Sequence, residues 1–225
     1  RRMPALTVYL VLRTATAFLF SLIFAAQLVY YVERVSLDPL QLVLVGTILE
    51  ATVFLCEIPT GVLADVKSRR LSILIGYALI GLGFMLEGAI PAFWAVALAQ
   101  VLWGLGYTFT SGATQAWISD EVGLERAGSA FVRGAQASQL GGLAGIVATM
   151  ALGSLAIQAP ILLGGGLFVA LAGWLALVMP ETMFAPTPVA ERTTWGTMWH
   201  AMREARAMAR RQPQLLILLG IGLFY

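Results

Sequence analysis

Glu57-Ile58-Pro59-Thr60-Gly61-Val62-Leu63-Ala64-Asp65-Val66-Lys67-Ser68-Arg69-Arg70 decides how this chain is read. The stretch begins as apolar helix carrying a carboxylate, is expected to tighten at Gly61, and breaks into a basic turn. A new apolar run starts at Leu71. An ionisable side chain near the centre of a membrane helix costs about 2.5–3.5 kcal/mol even on mild insertion scales. Glu57 therefore needs a partner or a purpose.

The sequence on both sides is lipid-grade. Of 225 residues, 59% are hydrophobic and 12% charged, with mean hydropathy +0.84. Soluble domains run to about 25% charged, and a chain this apolar cannot hide its surface in a protein core. The single Cys56 excludes an internal disulfide framework. No cleaved signal peptide is expected. Position 1 is not Met, and the last apolar run, residues 215–225, covers only about 16 Å of the roughly 30 Å hydrocarbon layer. Both features are expected of a piece of a longer chain.

Six spans are expected, near residues 5–32, 40–63, 71–90, 91–118, 127–152 and 161–179. Each is helical because a backbone in lipid must satisfy itself. Residues 1–180 would form this bundle, 181–213 a cytoplasmic linker, and 214–225 the start of a seventh span. With the amino terminus cytoplasmic, 11 of the 14 cations fall on the inner flanks and only Arg34 outside. In the linker, Trp195, Met198, Trp199, Met202 and Ala205 recur at helical spacing. They suggest an amphipathic helix on the membrane or, equally, one packed on the protein's own inner surface. His200 stands alone there and predicts no metal site.

Glu50, Glu57, Gly61 and Asp65 share one face of the second span. Arg13 in the first span lies at the depth of Glu57, which predicts an ion pair, either a structural lock or part of a proton-coupling device. Glu50 has no cation at its own depth and suits a carboxyl that binds and releases a proton. Glu87, near the outer end of the third span, is expected to reach the interface. In the fourth span Gln100, Gly104, Tyr107, Ser111, Thr114 and Gln115 fall within an arc of about 100°. They would line a water-filled path or a substrate wall, or else bond neighbouring helices. Gly134, Gly141, Gly142 and Gly145 predict close packing by the fifth span. No nucleophile–base pair suggests a reaction centre, and no G-x-x-x-x-G-K-[ST] loop suggests a nucleotide-driven pump. An enzyme is not expected.

The run Gly61-Val-Leu-Ala-Asp-Val-Lys-Ser-Arg-Arg resembles the signature between the second and third helices of the major facilitator superfamily, G-x-L-A-D-x-x-G-R-R/K. Gly61, Leu63, Ala64, Asp65, Arg69 and Arg70 fit it, while Ser68 replaces a Gly and Val66 a basic residue. Gly112-Ala-Thr-Gln-Ala-Trp-Ile-Ser-Asp is similar to the fourth-helix ending of drug-efflux members, and Pro180-Glu-Thr to the end of a sixth helix. Gly141 and Gly145 fit an antiporter motif in which Ala137, Gly142 and Ile146 depart. Gln100 stands where many proton-coupled members carry Arg, leaving coupling to Arg13 with Glu50 or Glu57.

The resemblance implies an all-α integral membrane fold, a six-helix bundle of two inverted three-helix repeats that forms half of a twelve-helix transporter. It implies a gating loop of Gly61, Asp65, Arg69 and Arg70 with Asp120, and a pathway drawn from Arg13, Glu50, Glu57, Gln100, Tyr107 and Ser111. The expected activity is proton-coupled export of small organic molecules, lipophilic or cationic, across a bacterial-type plasma membrane. Proton-coupled uptake of a metabolite or sugar is the alternative, and a non-transporting scaffold or receptor a more distant one. The implied partners are a small-molecule substrate, protons, lipid and the carboxy-terminal half. No cofactor, metal or nucleic acid is expected.

Overall fold

Capping residues and prolines set where the helices begin. The computed structural model describes residues 3–153, 156–186 and Arg203. Its contacts divide the chain into a unit Arg1–Thr187 and a unit Pro188–Tyr225; the helices described below belong to the first. They are α1 (Ala5–Val29), α2 (Pro39–Val66), α3 (Arg69–Ala89), α4 (Phe93–Thr110), α5 (Ala113–Val122), α6 (Leu124–Gly153) and α7 (Ala159–Val178). A π-helical turn, Tyr30–Arg34, extends α1. The amphipathic helix expected around Trp195 to Ala205, with His200, and the seventh span expected at 214–225 lie outside the described residues.

Asp38 opens α2 with a reciprocal cap. Its Oδ1 accepts the Gln41 N–H at 2.8 Å, and Gln41 Oε1 accepts the Asp38 N–H at 3.1 Å. Pro39 fills the first helical position, where its missing N–H costs nothing. Ser68 caps α3 by accepting the Leu71 N–H at 2.9 Å.

Three local expectations are corrected. No tightening occurs at Gly61: α2 runs through it to Val66, and the space beside Gly61 is open. The basic turn shrinks to Lys67–Ser68, so Arg69 and Arg70 occupy the first turn of α3. The fourth span is not continuous. It breaks at Ser111–Gly112, where Gly112 adopts φ +64°, a left-handed conformation that side chains disfavour. A single joint, Gly123 at φ +82°, separates α5 from α6.

Five stretches are long and apolar enough to cross a bilayer: Ala5–Arg34, Pro39–Val66, Arg69–Ala89, Phe93–Val122 and Ala159–Val178. The remaining expected span, the fifth, is α6, which has 30 residues and so about 45 Å of length. Its glycines, serines and glutamines make it less apolar, and its packing explains them. A Cβ at Gly141 or Gly145 would strike the backbone carbonyl oxygens of Thr14 and Phe18, so α1 and α6 meet backbone to backbone.

The helix neighbours reveal the repeat. α1 packs on α6 as α4 packs on α2, α3 on α4 as α7 on α1, and α3 on α7. Exchanging α1, α2 and α3 for α4–α5, α6 and α7 maps this set onto itself. α1 starts at the Asp65 end of the bundle and α4 at the opposite end, so the two three-helix units are inverted. The bundle is all-helical among the described residues, as expected for half of a twelve-helix fold. Its centre is aromatic: Phe20, Phe24, Phe84, Trp103 and Phe168 have ring centroids 4.9–6.5 Å apart. α2 contributes only Val45, Thr60 and Ala64 to the buried set and lies at the flank.

Candidate functional site

The break in the fourth span shapes the site. A cavity of about 550 Å³ opens between α1, α2, α3 and the α4–α5 junction. Arg13, Thr16 and Phe20 of α1 form one wall, and Glu57 of α2 with Tyr107, Ser111, Thr114 and Gln115 another. Because Ser111 ends α4 in an extended conformation (ψ 142°), its hydroxyl is turned out of the helix. It donates to Glu57 Oε1 at 2.8 Å. Tyr77, stacked 6.0 Å from Phe168, also lines the cavity.

Four of the six expected pathway residues thus share one space: Arg13, Glu57, Tyr107 and Ser111. The expected Arg13–Glu57 ion pair is absent. Among the described residues the ion pairs are Arg69–Asp120 and Arg69–Asp65, and Glu57 is held instead by Ser111. Arg13 is half-buried, and its Nε is buried without a hydrogen-bond partner.

Glu50 lies on the exposed surface of α2, outside the cavity lining. Gln100 is also elsewhere. Only 2% exposed, it faces into the bundle and donates to Tyr31 Oη at 3.0 Å and Glu87 Oε2 at 3.2 Å.

That contact belongs to a network at the end opposite Asp65, and it corrects the reading of Glu87. Glu87 does not reach an interface; it is completely buried. Gln27 Nε2 donates to Glu87 Oε1 at 2.9 Å and to Tyr31 Oη at 2.8 Å. The Tyr30 hydroxyl donates to the Glu87 backbone carbonyl at 2.6 Å. Each glutamine amide therefore bridges the Tyr31 phenol and one carboxylate oxygen. With two N–H donors filling the phenol oxygen, its own proton is left for the carboxyl. The network ties the π-helical turn to α3 and α4. Its sequence signal is weak: Gln27 and Tyr31 at i, i+4, with Gln100 and Glu87 on helices that the fold alone brings together.

At the Asp65 end, cations in the first turn of α3 oppose the helix dipole, and carboxylates answer them. Arg69 pairs with Asp120 of α5 and lies 3.9 Å from Asp65. Its guanidinium also sits over the Phe184 ring, 5.9 Å from the centroid. Glu181, beyond α7, accepts from the Arg70 N–H at 2.9 Å and from Ser68 Oγ at 2.7 Å. Arg70 reaches back to the Ala176 carbonyl.

Glu121 accepts from Thr182 N–H, Thr182 Oγ1 and Met183 N–H at 2.6–3.0 Å, and Trp117 Nε1 donates to the Pro180 carbonyl at 2.7 Å. Glu121 was not singled out in the sequence; Trp117 and Glu181 stood there only inside the Gly112–Asp120 and Pro180-Glu-Thr runs.

Comparison with known proteins agrees with this architecture. The sequence matches the Major Facilitator Superfamily over residues 9–225. It is also 24% identical, over 202 residues, to a Bacillus subtilis (strain 168) protein named "Uncharacterized MFS-type transporter YxaM". That alignment covers 90% of this chain and 50% of the relative, so the chain spans half the length of the protein it matches. With a repeat-built helical bundle and a match along nearly its whole length, this multi-pass membrane chain belongs to the Major Facilitator Superfamily of membrane transporters.

Proposed function

We propose that the protein is a proton-coupled exporter of small organic molecules, working by alternating access in a plasma membrane, with its amino terminus cytoplasmic. The observation that carries this reading is Glu57, a carboxylate in a cavity, hydrogen-bonded to Ser111 at the point where the fourth span breaks. Broken helices at the membrane midplane are where transporters bind substrates and coupling ions. A carboxyl beside such a break can change its charge as the helices around it move. Glu57 is the coupling acid in this scheme, and Arg13, Tyr107 and Ser111 face the substrate with it. Glu50, outside the cavity, has no part in it.

The Asp65 end would act as the gate. Arg69 holds Asp65 and Asp120 together, so α2, α3 and α5 close as one piece. Asp65, still 40% exposed, is left to engage a further half of the transporter. Gly61 and Arg70 flank that surface.

The test is efflux of a fluorescent lipophilic cation from proteoliposomes holding the full-length protein, driven by an imposed proton gradient. Glu57→Gln should abolish gradient-driven efflux. Unchanged proton-driven efflux in Glu57→Gln would remove Glu57 from the mechanism. Dye movement in the same direction as protons would overturn the export reading.

A further inference from the structure

The cavity contains one cation and one anion that leave each other unpaired. A guanidinium within a membrane-spanning helix is costly unless it meets an anion. Arg13 has an Nε that is buried without a hydrogen-bond partner, and no ion pair among the described residues. Glu57 is the other charged residue of the lining, and it is engaged by Ser111. The remaining groups are hydroxyls, an amide and aromatic rings, among them Thr16, Gln115, Phe20, Tyr77 and Tyr107. None of these can neutralise Arg13. The guanidinium is therefore an anchor awaiting a planar anion, which it can bind through parallel N–H donors.

We infer that the cavity recognises a zwitterionic organic molecule. Its carboxylate would sit on Arg13, its ammonium on Glu57, and its apolar body against Phe20, Tyr77 and Tyr107. This rests on the transport reading above and changes the expected substrate from a plain cation to a molecule bearing both charges. It also supplies a reason for exchange. The substrate ammonium and a proton compete for the same Glu57 carboxylate, so loading one releases the other. A purely anionic ligand would face repulsion from Glu57, and a purely cationic one would leave Arg13 without a counter-charge.

Three probes of one shape separate these cases: L-phenylalanine, phenethylamine, which lacks the carboxylate, and phenylpropionate, which lacks the ammonium. Binding is measured calorimetrically on the full-length transporter in nanodiscs, without any gradient. L-phenylalanine should bind roughly tenfold or more tightly than either single-charge probe, one charge-assisted contact apart. Arg13→Gln should remove the advantage of L-phenylalanine over phenethylamine, and Glu57→Gln its advantage over phenylpropionate. Phenethylamine binding as tightly as L-phenylalanine to the wild type overturns the inference. That is also the result expected if a side chain elsewhere in the whole protein neutralises Arg13. Failure of all three to bind overturns it too. The wild-type ranking stands without the variants if Arg13→Gln fails to fold. Because no gradient is present, a failed ranking beside intact proton-driven dye efflux rejects the zwitterion and keeps the exporter, whereas an upheld ranking with no proton-driven efflux of L-phenylalanine keeps the zwitterion site and rejects the exporter.

Discussion

Replacing Glu87 by Leu should destabilise the bundle by about 2–4 kcal/mol, although the substitution makes an apolar core more apolar. The reasoning starts from the two donors left behind. Gln27 and Gln100 each send one N–H to the Glu87 carboxylate, and both are almost fully buried, at 9% and 2% exposure. A stranded buried donor costs about 1–3 kcal/mol, so two cost about 2–6. Membrane proteins often escape such losses, with measured polar contacts averaging about 0.6 kcal/mol, because freed groups find new partners. Here the freed amides retain only Tyr31 Oη, which each already contacts, so the prediction sits between the two scales. Glu87→Gln keeps one acceptor oxygen and should cost about 1 kcal/mol or less. The decisive variant replaces Gln27, Glu87 and Gln100 by Leu together. With both amide donors removed and only the Tyr31 hydroxyl left without its partners, it should recover part of the loss, as buried polar clusters replaced by apolar residues often do. Denaturant titration of the full-length protein in mixed micelles measures all three. A Glu87→Leu protein as stable as wild type, or a triple variant no better than the single, refutes the reasoning.

The close approach of α1 and α6 makes Gly141→Ala costly, by about 1–3 kcal/mol, because the new methyl meets the Thr14 carbonyl rather than a movable side chain. Gly173→Ala, with open space around it, should be neutral or slightly stabilising in the same unfolding assay. Arg69→Gln should cost about 1–3 kcal/mol by stranding Asp120 in a partly buried site. Reversing the pair as Arg69→Asp with Asp120→Arg should recover part of it, and equal losses in single and double variants would show that the pair is not the source. Gly112→Ala forces a side chain into a left-handed backbone and should cost about 1–2 kcal/mol. It should lower transport more than stability, because straightening the break withdraws Ser111 from Glu57.

Much of the fold was legible because lipid leaves the backbone few choices. Long apolar runs located the spans, and the Asp65 stretch located one end of the bundle. Local geometry was less accessible. Whether a glycine turns left-handed depends on what its neighbours pack against, so Gly112 read as one small residue in a continuous helix, while Gly61 read as a tightening it does not make. Pairings between spans were least accessible. Depth matching put Arg13 beside Glu57, and both do reach one cavity, but depth says nothing about which hydroxyl arrives first; Ser111 does. The same arithmetic assigned Gln100 to the pathway because it shares an arc with Tyr107. The structure turns it toward Glu87, a partner on another helix that no periodicity within one span could reveal.

The short helix α5 has a mechanical consequence. It hangs between two left-handed glycines, Gly112 and Gly123, each a joint that few other residues would permit. One end carries Thr114 and Gln115 at the cavity, and the other carries Asp120, tied to Arg69, and Glu121, tied to Thr182. Ten residues make a rod of about 15 Å, so a tilt of about 10° at the Gly112 joint sweeps the far end through about 2.6 Å. That stroke is enough to part a hydrogen-bonded carboxylate from its donors. In the proposed transport scheme, cargo pressing on one joint would be geared, through ten residues of stiff helix, to the fastening at the other.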